Sequence, residues 1–202
     1  MSYMKTKIVV ASHNQGKVKE IKNLLKPFKF EVYSASDFDI KEPKETGKTF
    51  IDNSIIKANA IAKKSNLIAI ADDSGLCVNL LEGRPGIYSA RWAGKGKDFN
   101  LAMRKIEKEI NKISSNSKKK RRAHFCCALS LCFPTGKIIS FQGKVYGYLQ
   151  FPPKGLNGFG YDPIFIPDGY KKTFGEMNFS FKEKISHRQI AFNKLKKYLI
   201  KI

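Results

Sequence analysis

A chain of 202 residues that is 42% hydrophobic has enough apolar material for one large domain, and no part of it reads as disordered at domain scale. Its formal charge of +21 points to nucleic acid, membrane or anionic small molecules, yet only six of its 38 basic residues are arginine. Arginine is the residue that reads bases and grips phosphate bidentately, so its scarcity argues against a specific nucleic-acid reader. Cys77, Cys126, Cys127 and Cys132 lack the paired spacing of a zinc site and read as small buried residues of a reducing cytosol. The apolar run before His13 is too short for a signal peptide or a membrane span, so a soluble cytoplasmic protein is expected.

The chain opens with a short apolar strand, Ile8 to Ala11, followed by a polar turn, Ser12-His13-Asn14-Gln15-Gly16-Lys17, and then apolar residues at helical spacing: Val18, Ile21, Leu24 and Leu25. A strand, a glycine-containing turn and a helix start together point backbone N–H groups and the positive helix end outward, where an anion can bind. Lys17 adds a charge and Asn14 an amide. The turn is not a Walker A loop, because Ala11 and Val18 stand where that motif needs glycine and a hydroxyl residue.

A second strand is predicted over residues 30–35. Glu45-Thr46-Gly47-Lys48-Thr49 then leads into a long helix with Ile51, Ile55, Ala58 and Ala62 on one face, capped by Thr49 with Asp52. Next comes Ile68-Ala69-Ile70-Ala71-Asp72-Asp73-Ser74-Gly75, predicted to be a buried strand that ends abruptly in two carboxylates or, alternatively, a solvated strand-to-loop turn, with Ser74-Gly75 turning the chain away and Leu76-Cys77-Val78 able to continue as a strand. A buried strand has no use for adjacent anions unless something cationic waits at its end, which points to a metal. Successive strand residues face opposite ways, so Asp72 and Asp73 are expected to differ in role.

A helix is predicted from Asp98 to Ile113. The basic run Lys118 to Arg122 reads as a solvated connection, and residues 123–133 and 137–148 read as antiparallel strands joined at Pro134-Thr135-Gly136. Gly155, Gly158 and Gly160 surround Phe159 and Tyr161 next to Asp162, a loop whose flat aromatic faces suit a heterocyclic base or, equally, a glycine bend in a sheet. Ser186 and Gln189 mark the start of a final helix and place the cations His187 and Arg188 in its first turn. That position opposes the helix dipole unless an anion or polar ligand compensates.

Six ordered blocks cover the chain from Ile8 to about Leu195: Ser12-x-Asn14-x-x-Lys17-x-x-Glu20, Glu45-Thr46-Gly47-x-Thr49-Phe50, Ala71 to Leu76, Pro85 to Arg91, Gly158 to Pro163, and Ser186-His187-Arg188. Together they resemble the inosine triphosphate pyrophosphatase family. The resemblance implies an α/β fold over residues 1–202 as a single domain: an elongated, twisted mixed β-sheet flanked by helices, with two lobes and a central cleft. It also implies a homodimer and Mg²⁺-dependent cleavage of a purine nucleoside triphosphate substrate (ITP, dITP or XTP) to the monophosphate and pyrophosphate. Carried over residue by residue, Ser12, His13, Asn14, Gln15, Gly16, Lys17 and Ser74 hold the substrate. Glu45 and Asp73 bind metal, with Asp73 as proton acceptor, and Phe159, Gly160, Tyr161, Asp162, Lys182, His187 and Arg188 form the base pocket. Ser12 stands where threonine is commoner in that family, and His13 where glycine is often found.

Overall fold

The computed structural model describes residues 5–113 and 121–202, so the Lys118 to Lys120 part of the basic run lies outside the described residues. In chain order the elements are β1 (Lys7–Val10), α1 (Gln15–Leu25), β2 (Glu31–Ser34), α2 (Phe50–Ser65), β3 (Ile68–Val78), α3 (Ser89–Trp92), α4 (Phe99–Ile113), β4 (Arg122–Cys132), β5 (Ile138–Leu149), β6 (Phe165–Pro167), α5 (Phe179–Ile185) and α6 (His187–Leu199). The strands form one six-stranded sheet in the order β2-β1-β3-β4-β5-β6. β1 runs parallel to β2 and β3, whereas β6 is antiparallel to β5, which makes the sheet mixed and the fold α/β as expected.

The chain groups into two compact units. The first comprises Met1–Asp73, Cys127–Gly143 and Arg188–Ile202, and the second Ser74–Cys126 and Lys144–His187. In the first unit, alternation along the strands sorts the core into two clusters. Ile8, Val10 and Ile70 pack with Val18, Ile21 and Leu25 of α1 and Ala191, Phe192 and Leu195 of α6. Val9, Ala11, Ala69 and Ala71 pack with Ala58, Ile61 and Ala62 of α2. The sheet of this unit is therefore covered on both faces, by α1 and α6 on one and α2 on the other. A chain of hydroxyls fastens α2 in place, with Ser54 Oγ 2.6 Å from Ser130 Oγ of β4 and Ser130 Oγ 2.7 Å from Ser140 Oγ of β5.

The second unit is built on aromatic packing. Phe125 meets Phe165 edge-on at 4.8 Å between centroids and lies stacked on the His187 ring at 4.8 Å. Phe174 joins both phenylalanines, and Tyr161 meets Phe99 of α4 edge-on at 5.3 Å while its hydroxyl donates to the Ser89 carbonyl oxygen. Among the described residues no helix is long and apolar enough to cross a membrane.

Three local expectations need correcting. β3 does not stop at the carboxylates but runs for 11 residues through Asp72, Asp73, Ser74 and Gly75. What ends there is the neighbour: β1 pairs with β3 only as far as Val10 opposite Ile70, so the aspartates emerge where β1 has finished. The expected stripe on α2 is also rotated. Ile51 and Ile55 are half-buried, and the buried face includes Asn53, Ser54 and Lys57. Finally, α5 and β6 carried no prediction. α5 has only 7 residues and is capped by Asn178, whose side chain accepts the Phe181 N–H; β6 has 3, too few for either period to register.

Gly75 serves close packing rather than a turn. A Cβ there would run into the Gly86 carbonyl oxygen and the Ser89 side chain, and Ser89 Oγ is already committed, accepting the Leu76 N–H at 3.0 Å and donating to Gly86 O at 2.6 Å. Gly75→Ala should therefore destabilise the fold by about 1–3 kcal/mol, read as a lowered urea midpoint with unchanged slope.

Candidate active site

The turn after β1 is organised by its own side chains. Asn14 is the N-cap of α1, its Oδ1 accepting the Lys17 N–H at 3.2 Å, and Ser12 Oγ accepts the Asn14 N–H at 3.2 Å. His13 Nδ1 lies 4.0 Å from the Glu42 carboxylate, and Gln15 and Gly16 open the helix. No acidic residue occupies the first turn of α1, so its positive end keeps its attraction for an anion. Ser12 to Lys17 thus form one compact turn, as the sequence pattern required.

The alternation that sorts the core also separates the two aspartates. Asp72 shares the face of Ile70 and meets α1 and α6; Asp73 shares the face of Ala69 and Ala71 and meets α2. Asp72 is fully buried, 3.3 Å from Lys17 Nζ and 2.7 Å from Arg188, whose other terminal nitrogen pairs with Glu20. Burial by itself would raise the Asp72 carboxyl, but Lys17, Arg188 and Lys57 outweigh it and hold it far below the usual carboxylate range. Arg188 is equally buried; desolvation works against its charge, and Asp72 and Glu20 overcome that and raise it. The cation that the sequence placed unfavourably in the first turn of α6 is therefore compensated by internal carboxylates.

On the other face, Lys57 Nζ donates to Glu45 Oε1 at 2.6 Å and to Asp73 Oδ1 at 3.1 Å. Burial acts to lower the Lys57 ammonium, and Asp73, Asp72 and Glu45 more than reverse this, so it stays charged. Asp73 moves the opposite way from its neighbour: burial pushes its carboxyl up, Lys57 and Lys17 pull it down, and the Glu45 anion adds to the rise. The two adjacent carboxyls thus differ both in partners and in basicity.

Glu45 and Asp73 supply oxygens from separate segments that already converge on one cationic point, the Lys57 ammonium. That donor set fits a hard divalent ion of the Mg²⁺ kind, which binds through one or two carboxylates and completes its shell with water and phosphate oxygens. Among the described residues no group of three or more His, Cys, Asp or Glu gathers as a metal site, so such an ion would depend on non-protein ligands as well.

The second unit holds most of the expected base-binding residues together. Lys182 Nζ donates to Asp162 Oδ2 at 2.6 Å and stands over the Phe159 ring at 4.8 Å; both partners of the ion pair are buried. The same Asp162 oxygen accepts the Phe159 N–H at 2.8 Å. Gly158, at φ +77°, leaves the space that this carboxylate fills, since a Cβ would meet it. Gly160 and Tyr161 continue the loop, and His187 lies on Phe125. Arg188 belongs to the first unit, where its two terminal nitrogens are engaged with Glu20 and Asp72. Ser74 follows Asp73 on β3. Arg122, at the end of the basic run, forms a two-pronged ion pair with Asp168 and is not available for a phosphate backbone.

Sequence reasoning did not single out Lys57 or Asn53, and it met Glu20 only as part of a motif. Lys57 and Asn53 lie one helical turn apart on α2, and a polar pair at i, i+4 on the buried side of a helix is the signal that was there to find.

The mixed sheet, with its charged groups gathered beyond the end of β1, defines an α/β protein of the kind that takes ligands at strand ends. The chain belongs to the Ham1 family, which it matches over residues 8–198. It is 50% identical over 189 residues to a dITP/XTP pyrophosphatase of Zymomonas mobilis, covering 94% of this chain and 90% of that protein. It is 49% identical over 193 residues to a dITP/XTP pyrophosphatase of Caulobacter vibrioides, covering 96% and 97%. Among solved structures it resembles a HAM1 protein from Coxiella burnetii, with a TM-score of 0.88, 34% identity, and 98% of this chain and all (100%) of that one covered. The Staphylococcus aureus Ham1 protein superposes with a TM-score of 0.82 at 40% identity, covering 96% and 98%.

Two stability outcomes follow from the buried charges. Arg188→Met leaves Glu20 and Asp72 facing each other without their shared cation and should cost about 3–5 kcal/mol in urea unfolding, whereas Arg122→Met, which breaks the exposed pair with Asp168, should cost no more than about 1 kcal/mol. Because the folded Asp72 carboxyl lies below the ordinary aspartate value of 3.8, its contribution is complete above that value and is lost as pH falls through the lower folded value. The stability gap between wild type and Asp72→Asn should therefore be flat from neutral pH to about pH 5 and shrink only below about pH 4.

Proposed function

We propose that this protein, residues 1–202 acting as one nucleoside triphosphate pyrophosphatase domain, hydrolyses non-standard purine nucleoside triphosphates (ITP, dITP and XTP) to the monophosphate and pyrophosphate with Mg²⁺. The observation that carries the reading is the convergence of Glu45 and Asp73 on one cation next to Lys17 and the positive end of α1. Near 50% identity to proteins called dITP/XTP pyrophosphatases, over nearly the whole chain, supports the substrate class.

In this reading the turn from Ser12 to Lys17 receives the triphosphate: backbone N–H groups of α1 and the Lys17 ammonium meet its charge, and Ser74 adds a hydroxyl. Glu45 and Asp73 would hold the Mg²⁺, which would supply neutralisation of phosphate charge. Asp73 is the acceptor for the proton of the attacking water. The water oxygen attacks phosphorus in line, the bond between the α- and β-phosphates breaks, and pyrophosphate leaves with its charge balanced by Lys17 and Lys57. Asp72 stays ionised as the counter-charge that positions Lys17, and Arg188 serves the reaction by holding Asp72 rather than by reading the base.

Recognition of the base falls to Phe159, Gly160, Tyr161, Asp162, Lys182 and His187. Phe159 offers a ring to stack on, and Lys182, steadied by Asp162, donates to the 6-oxo group. An adenine amino group would instead face a donor, an unpaired arrangement costing about 1–3 kcal/mol. A cytoplasmic location agrees with four buried thiols, and the homodimer implied by the family resemblance is testable by light scattering.

With Mg²⁺, pyrophosphate release from ITP should exceed that from ATP by about ten- to a hundredfold, and equal rates on ITP, ATP and GTP would refute the specificity. Chelating the metal should stop turnover and adding Mg²⁺ should restore it. Asp73→Asn should remain folded by circular dichroism and release no pyrophosphate; wild-type activity in that variant would remove Asp73 from its role.

A further inference from the structure

Asn53 is a polar side chain with no exposure at all, in the second turn of α2. Its amide is used at both ends. Oδ1 accepts the Gly47 N–H at 2.8 Å, and Nδ2 donates to Asp73 Oδ2 at 3.3 Å. One side chain therefore joins the segment that carries Glu45 to the strand that carries Asp73.

The loop is fitted to that contact. A Cβ on Gly47 would collide with the Asp52 side chain and with Asn53 itself, so only bare backbone can approach the helix this closely. Two residues on, the capping box seals the same loop: the Lys48 and Thr49 N–H groups donate to Asp52 Oδ2 at 3.2 and 3.0 Å, and Thr49 Oγ1 accepts the Asp52 N–H at 3.1 Å. The path from Glu45 to α2 is thus pinned at Gly47, Lys48 and Thr49.

The choice of oxygen matters as much as the tether. Asn53 occupies Oδ2 of Asp73, and Lys57 Nζ meets Oδ1, which together with Glu45 Oε1 marks the cationic point. An amide donor on one oxygen fixes the carboxylate rotation and leaves the other directed at the cation, in the way that outer partners orient metal ligands generally. Aspartate at this position would lose the donor and oppose Asp73 with a like charge, and an aliphatic side chain would lose both bonds.

We propose that Asn53 is a positioning residue for the reaction: its side-chain amide sets the Glu45 loop and the rotation of Asp73 so that the two carboxylates are preformed for a divalent cation. The proposal rests on the reading of Glu45 and Asp73 as the metal-holding pair. Asn53 touches neither substrate nor metal, and the effect of changing it passes through the geometry of those two groups.

The test is Mn²⁺ affinity, measured by electron paramagnetic resonance in the presence of a non-hydrolysable triphosphate analogue, for wild type, Asn53→Leu and Gly47→Ala. Asn53→Leu keeps the volume and removes both bonds; Gly47→Ala pushes the loop off the helix while leaving Asn53 and Asp73 chemically intact. Both should weaken Mn²⁺ binding about 10–100-fold, with kcat reduced at fixed Mg²⁺ and partly restored by raising it, and with KM for ITP changed far less. Should Asn53→Leu fail to fold by circular dichroism, Gly47→Ala decides alone. A folded variant whose Mn²⁺ affinity stays within about twofold of wild type overturns the role of Asn53 while leaving the metal pair standing. Wild type that binds no Mn²⁺ overturns the metal reading itself and the proposal with it.

Discussion

Two adjacent carboxylates inside a buried strand are the constraint around which the first unit is arranged. Neither Asp72 nor Asp73 can remain charged in that position without a partner, and a strand turns consecutive side chains to opposite faces, so one partner cannot serve both. The chain answers with cations from both layers of helices: Lys17 of α1 and Arg188 of α6 for Asp72, and Lys57 of α2 for Asp73. Removing either set would leave an uncompensated buried anion, among the most costly defects a core can carry.

Asymmetry between the two sides turns this packing problem into a candidate site. Asp72 has two direct cationic partners, Lys17 and Arg188, with Lys57 adding a third positive charge, and together they outweigh its burial and hold it ionised. Burial raises the Asp73 carboxyl, Lys57 and Lys17 offset that only in part, and the Glu45 anion with which it shares Lys57 adds to the rise. The net negative balance and the greater exposure fall on the α2 face, where Asp73 is 5% exposed against 0% for Asp72. Two neighbours in sequence thereby differ in partners, charge balance and exposure.

Much of this was legible in the chain. Residues 8–10, the turn at Ser12 to Lys17, and the Thr49–Asp52 cap read correctly because each depends on local spacing. The separation of the two aspartates also read correctly, since strand alternation needs no tertiary knowledge. What escaped depended on contacts distant in sequence. Ser74-Gly75 carries turn chemistry, and only the approach of Gly86 and Ser89 shows that Gly75 makes room rather than a bend. Arg188 reads as a ligand-facing cation until Glu20 and Asp72, 168 and 116 residues away, are brought beside it. Lys57 was hidden by an apolar stripe that fits the helix period almost as well when rotated by one position.

The ion pairs of Arg188 also bear on how the protein is made. Its partners, Glu20 and Asp72, come much earlier in the chain, and the residues from 188 onward belong to the first unit although they follow the whole of the second. During translation β1, α1 and β3 emerge before α6, and until α6 follows them their core face lacks its cover and their buried carboxylates lack a guanidinium. The second unit, whose residues end at His187, is complete sooner. Closure of the first unit therefore waits for residues from 188 onward, whereas the second unit needs none beyond His187.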